Sequence, residues 1–151
     1  LQKGEDKLIY VGWQNSYKME NVNVNNVIEL EFSFNTSSSI LFNRLSTPSG
    51  LSEWFADDVN LDGNVYTFIW DKSENQAEMI GMKENKYIRF RWIDDLNEGN
   101  EDCFFEFRIQ PNELAGGVAL HVIEHLQDND IEDATSLWNY QINELKRNLG
   151  I

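Results

Sequence analysis

"VALHVIEHL", residues 118–126, contains His121-Val122-Ile123-Glu124-His125, which spells H-x-x-E-H, the pattern by which one class of metallopeptidase presents two zinc-binding histidines on a helical face. Whether this stretch is helix or strand decides both the fold and that activity. It follows Gly116-Gly117, offers no N-cap, and alternates Val118, Leu120 and Val122 in a β-branched run, so it reads as a strand. On a helix the two histidines would lie about 6 Å apart; along a strand four residues span about 13 Å. Zinc holds nitrogen at about 2.1 Å, so a strand cannot bring both to one ion. The chain contains 2 histidines in all, leaving none to complete a site. In a regular strand His121 and His125 lie opposite the face of Leu120 and Val122.

Working outward, "DNDIEDATSLWNYQINELKRNLG" at 128–150 places Ala134, Leu137, Trp138, Gln141, Ile142, Leu145 and Leu149 on one helical face. Acids at its start and Lys146 and Arg147 at its end complement the helix dipole, and Gly150 is a natural terminator. Upstream, "VYTFIWD", "AEMIGM", "YIRFRWI" and "CFFEFRI" read as strands divided by short polar turns, which implies antiparallel neighbours. "VIELEFSF" at 27–34 alternates strictly, with Ile28, Leu30, Phe32 and Phe34 on the apolar face. After it, Asn35, Thr36 and Ser37 are N-cap candidates for a helix carrying Ile40, Leu41 and Leu45. Pro48 ends that helix, and a second short piece carries Leu51, Trp54 and Phe55. The order is α+β: a strand, two short helices, a run of antiparallel strands and a long C-terminal helix that the sheet can curve around.

The 151 residues suffice for one domain with a full core, burying about 70% of the surface that the unfolded chain exposes. With 12 Lys plus Arg against 26 Asp plus Glu, the formal net charge is −14. That field repels phosphate backbones and anionic surfaces, so nucleic acid is not an expected partner. No apolar run approaches 18 residues and no signal-peptide pattern is present, so stable membrane insertion is not expected. A single cysteine, Cys103, suits a reducing compartment, and the expected location is cytoplasmic. Residues 1–18 precede Met19 and read as an N-terminal extension that need not be native, with the domain proper at 19–151. The apolar residues Leu8, Ile9, Tyr10, Val11 and Trp13 of that arm call for a surface to pack on, such as a neighbouring subunit.

Three stretches resemble the START-like, or helix-grip (SRPBCC), superfamily, and most closely its homologues of the heat-shock-protein ATPase activator together with short bacterial START-like proteins. They are "SSSILFNRLSTPSGLSEWFADDV", with Thr47, Pro48, Leu51, Trp54 and Phe55; "YIRFRWID", a strand ending in Trp; and "LWNYQINELKRNL", with Trp138, Leu145 and Leu149. The resemblance covers about residues 27–149. It implies a curved seven-stranded antiparallel sheet gripping the last helix, with a cavity for an apolar or amphipathic ligand. Members bind lipids, cyclise polyketides or assist a chaperone, so the fold alone selects no activity. The cyclases' catalytic constellation and the extra N-terminal domain of the eukaryotic chaperone activator are not seen in this sequence. The expected function is therefore non-enzymatic binding of a small hydrophobic ligand between sheet and C-terminal helix, with no cofactor or metal. The alternative is a protein-interaction domain making a homodimer or chaperone contact.

Candidate side chains follow from that expectation. Trp54, Phe55, Trp70, Trp92, Phe105, Trp138 and Ile142 come from the elements that would enclose a ligand. Arg89 and Arg91 share one face of "IRFRW", opposite Ile88, Phe90 and Trp92. They either pair with acids on adjacent strands, Glu106 or Glu78, or turn inward as polar anchors. "VYTFIW" is apolar on both faces, so its outer side calls for a cover such as a homodimer contact. "DVNLDG" spells the first half of an EF-hand loop with Asp58, Asn60, Asp62 and Gly63, but Ile69 stands where the bidentate Glu belongs. Asp62-Gly63 reads instead as a turn between two strands.

Overall fold

A computed structural model describes residues 26–93, 103–126 and 130–151. The whole N-terminal extension and the boundary drawn at Met19 lie outside the described residues. The elements are β1 (Val27–Phe34), α1 (Ser38–Ser46), α2 (Pro48–Leu51), β2 (Asp58–Asp62), β3 (Val65–Trp70), β4 (Ser73–Lys83), β5 (Tyr87–Ile93), β6 (Phe104–Pro111), β7 (Val118–His125) and α3 (Ile131–Leu149). One seven-stranded sheet runs β1-β7-β6-β5-β4-β3-β2 with every neighbouring pair antiparallel. Consecutive strands from β2 to β7 are neighbours. Only β1 crosses to pair with β7, and α1 and α2 carry the chain from it to the far edge at β2.

Local chemistry sets the boundaries. Ser37 caps α1, its hydroxyl accepting from Ile40 N at 3.2 Å. Thr47 ends α1 in an extended conformation and caps α2, with Pro48 in the first turn, where a missing N–H costs nothing. Thr47 Oγ1 accepts from Gly50 N at 2.9 Å. Gly63 adopts φ 63° in the two-residue turn that pairs Asp62 with Val65, so the EF-hand spelling is a hairpin. Gly150 closes α3 at φ 77°.

One boundary and one burial differ from the sequence expectation. The polar Ser73-Glu74-Asn75 is strand rather than divider, because it continues the ladder against β3, with Phe68 opposite Asn75 and Trp70 opposite Ser73. In α3, Leu137 is 57% exposed although it shares the apolar arc, while Trp138, Gln141, Ile142 and Leu145 are buried.

The inner face of the sheet carries the core. Phe68, Phe90, Phe105, Phe107, Leu120 and Val122 are fully buried there, with Ile142 and Leu145 of α3 above them. Each large side chain so buried contributes about 1.5–3 kcal/mol by removal from water. The aromatic rings interlock, Phe90 stacking on Phe105 at 4.9 Å and Phe107 meeting Trp138 edge-on at 5.7 Å. Tyr66 ties β3 to the end of α1, its hydroxyl donating to Ser46 O at 2.7 Å.

Across β4, β5 and β6 the outer face carries paired charges. Glu106, 2% exposed, receives Arg89 from β5 at 2.6 Å and Arg108 from its own strand at 2.7 Å, so a buried carboxylate is met by two guanidinium groups. Arg91 reaches Glu78 at 2.7 Å. Arg89 also lies over the ring of Phe104 at 4.4 Å, and His125 stacks on the same residue at 4.1 Å.

Candidate functional site

The H-x-x-E-H stretch is β7, so the strand reading holds. His121 stands opposite Glu31 and Arg108 on the outer face, and among the described residues no group of three metal-ligating side chains assembles. Glu124, in register with Leu120 and Val122, belongs to the inner face. Its Oε1 accepts from Trp138 Nε1 at 2.7 Å. Burial pushes the Glu124 carboxyl up from its ordinary value, against which the Trp138 hydrogen bond pulls it down.

Around that pair the sheet and α3 part. An opening of about 440 Å³ lies beneath the N-terminal half of α3, walled by Phe55, Trp70, Trp92, Leu126, Ala134, Leu137 and Trp138. Asn75, Gln141 and Glu124 supply its polar atoms. The volume lies within the range of small-molecule sites, as does an apolar wall with a few polar groups. The walls are set by contacts deeper in the core. Phe55 meets Trp70 at 5.6 Å and stacks on Trp138 at 6.0 Å. The Phe55 carbonyl accepts from Trp70 Nε1 at 2.9 Å and from Gln141 Nε2 at 3.4 Å. One backbone oxygen thus fixes two lining side chains, one from the sheet and one from the helix.

A second opening, of about 490 Å³, adjoins the first and shares Phe55, Trp70, Leu137 and Gln141 with it. It is more polar, lined also by Ser52, Glu53, Trp54, Asp57, Tyr140 and Glu144.

The candidate side chains divide accordingly. Phe55, Trp70, Trp92 and Trp138 meet at the apolar opening, and Trp54 lies at the polar one with its Nε1 donating to Arg44 O at 2.8 Å. Phe105 and Ile142 are fully buried and line neither. Arg89 and Arg91 take the paired arrangement on the outer face, with Glu106 and Glu78, away from both openings. The polar atoms of the site come instead from Glu124 and Gln141. Neither was singled out as a site residue, although β7's alternation places Glu124 on the face of Leu120 and Val122 and Gln141 lies on the apolar arc of α3.

Comparison with known proteins agrees with this architecture. The family model for the START-like superfamily domain matches residues 22–151. The solution structure of BfR322 from Bacteroides fragilis shares 35% identity, covers 83% of this chain and 91% of its own, and superposes with a TM-score of 0.56. The Aha1 dimer from Colwellia psychrerythraea has a similar fold at 14% identity and TM-score 0.69, with 80% of this chain and 92% of that chain covered. The AHSA1-like protein from Aeromonas hydrophila is similar at 9% identity and TM-score 0.67, over 82% and 92% of the two chains. No curated protein matches the sequence. With its curved antiparallel sheet closed over a C-terminal helix and its family model spanning nearly the whole chain, the protein belongs to the START-like superfamily.

Proposed function

We propose that this START-like domain binds a small hydrophobic or amphipathic molecule in the apolar opening beneath α3, without carrying out chemistry on it. The observation that carries this reading is the opening itself: three indoles and a phenyl ring around about 440 Å³, with Glu124 and Gln141 at its wall. An apolar body would displace water from the aromatic surfaces while the polar atoms fix its orientation. The candidate contacts are Phe55, Trp70, Trp92 and Trp138, with Trp54 at the adjoining opening. A cytoplasmic setting accords with a chain that has a single cysteine. No helix among the described residues is long and apolar enough to cross a membrane.

A second reading, a protein contact or homodimer through α3, is favoured by the exposure of Leu137 and Tyr140, 57% and 63%. Native mass spectrometry of protein purified without detergent separates the two. Ligand binding predicts a monomer carrying a stoichiometric small-molecule mass that denaturation releases. A ligand-free dimer, or a ligand-free complex with one stoichiometric protein partner, would instead support the contact reading.

A further inference from the structure

Among the described residues, the charged side chains that line the two openings are of one sign. Glu124 lines the apolar opening, and Glu53, Asp57 and Glu144 line the one beside it; among the described residues no Lys or Arg lines either. Arg44 lies 3.7 Å from Glu53 and Arg147 bonds Glu144, but among the described residues no cation pairs with Asp57 or Glu124. At Glu124 one oxygen is engaged by the Trp138 indole, and Oε2 has no hydrogen-bond partner among the described residues. Trp70, Trp92 and Trp138 share that opening, and an indole face is the best aromatic partner for an organic cation. A partly desolvated carboxylate beside aromatic faces favours a positive head group and disfavours an anionic one.

From this juxtaposition, and resting on the pocket reading above, we infer that the site selects an organic ammonium cation attached to an apolar body, with the ammonium at Glu124 Oε2 and the body among Trp70, Trp92 and Trp138. Carboxylate and phosphate amphiphiles are excluded by the same charges. Burial already raises the Glu124 carboxyl, so a bound cation would relieve a charge that the pocket holds at a cost.

Three matched probes test this by calorimetry near neutral pH: 1-naphthylmethylammonium, 1-naphthalenemethanol and 1-naphthoate. The expected order is ammonium tighter than alcohol by about tenfold, and naphthoate weakest. In Glu124→Gln, whose folding is checked by thermal unfolding, the ammonium should fall to the alcohol's affinity. If that variant fails to fold, salt takes its place: raising ionic strength should weaken the ammonium and leave the alcohol unchanged. Equal affinity for ammonium and alcohol, or tighter binding of naphthoate, overturns the cation inference and leaves the pocket standing. Binding of none of the three overturns both.

Discussion

Glu124 shows how much one side chain's direction decides. Spelled within H-x-x-E-H it suggests metal chemistry, yet the alternation of Val118, Leu120 and Val122 puts it on their face, opposite the histidines, and the structure shows that face to be the inner one. The shared face was legible, and which face meets α3 was not. Nor was the hydrogen bond between Glu124 and Trp138, because the sequence does not tell which turn of α3 crosses which strand. The aromatic candidates were legible as a set and not as a division, since apolar residues that line an opening and those packed behind it, such as Phe105 and Ile142, have the same composition and periodicity. Arg89 and Arg91 were readable as partners of Glu106 and Glu78, because cross-strand neighbours on one face are few.

The position of Glu124 has a consequence for stability. Its carboxyl is raised in the folded state, so the fold holds that proton more tightly than the unfolded chain does. The resulting stability is full below the unfolded value and is lost as pH rises through the folded one. Glu124→Gln keeps an acceptor for the Trp138 indole and never ionises. Its melting temperature relative to the parent should therefore climb as pH rises above the ordinary glutamate value of about 4.3, and level off once the folded carboxyl has ionised. A difference that stays flat or shrinks would contradict the assignment.

At the scale of elements, the clearest strand and the longest helix were readable because their apolar periods are unbroken: Ile28 to Phe34 at period two, Ala134 to Leu149 at 3.6. The start of β4 was not, since Ser73 to Gln76 has no apolar alternation and owes its strand to the ladder with β3. The β6–β7 connection offers a sharper test of how elements are joined. Gly117 has φ 71°, and a Cβ there would lie 2.3 Å from Phe34 O, where β1 ends against β7. Gly117→Ala should destabilise by about 1–3 kcal/mol through overpacking, in addition to the strain of its dihedral. Gly116→Ala, at φ 79° with open space around it, carries the dihedral cost alone. Urea unfolding of both variants checks this; equal losses would remove the close approach to β1 from the account.

For the whole molecule, element order and short connections were enough to reach a curved antiparallel sheet around a terminal helix. The opening was not readable in the same way. It depends on where the sheet and α3 separate, and that is set by contacts remote in sequence, such as Phe55 O with Trp70 and Gln141. The same geometry yields a direct test of the central claim, that the space beneath the first half of α3 receives an apolar molecule. The five indole N–H signals of the protein, from Trp13, Trp54, Trp70, Trp92 and Trp138, can be followed by nitrogen-15 NMR as 1-naphthalenemethanol is added. Binding at this site predicts saturable shifts of the Trp70, Trp92 and Trp138 signals with one common affinity. Shifts confined to Trp13 or Trp54, or no saturable shift at all, would contradict it.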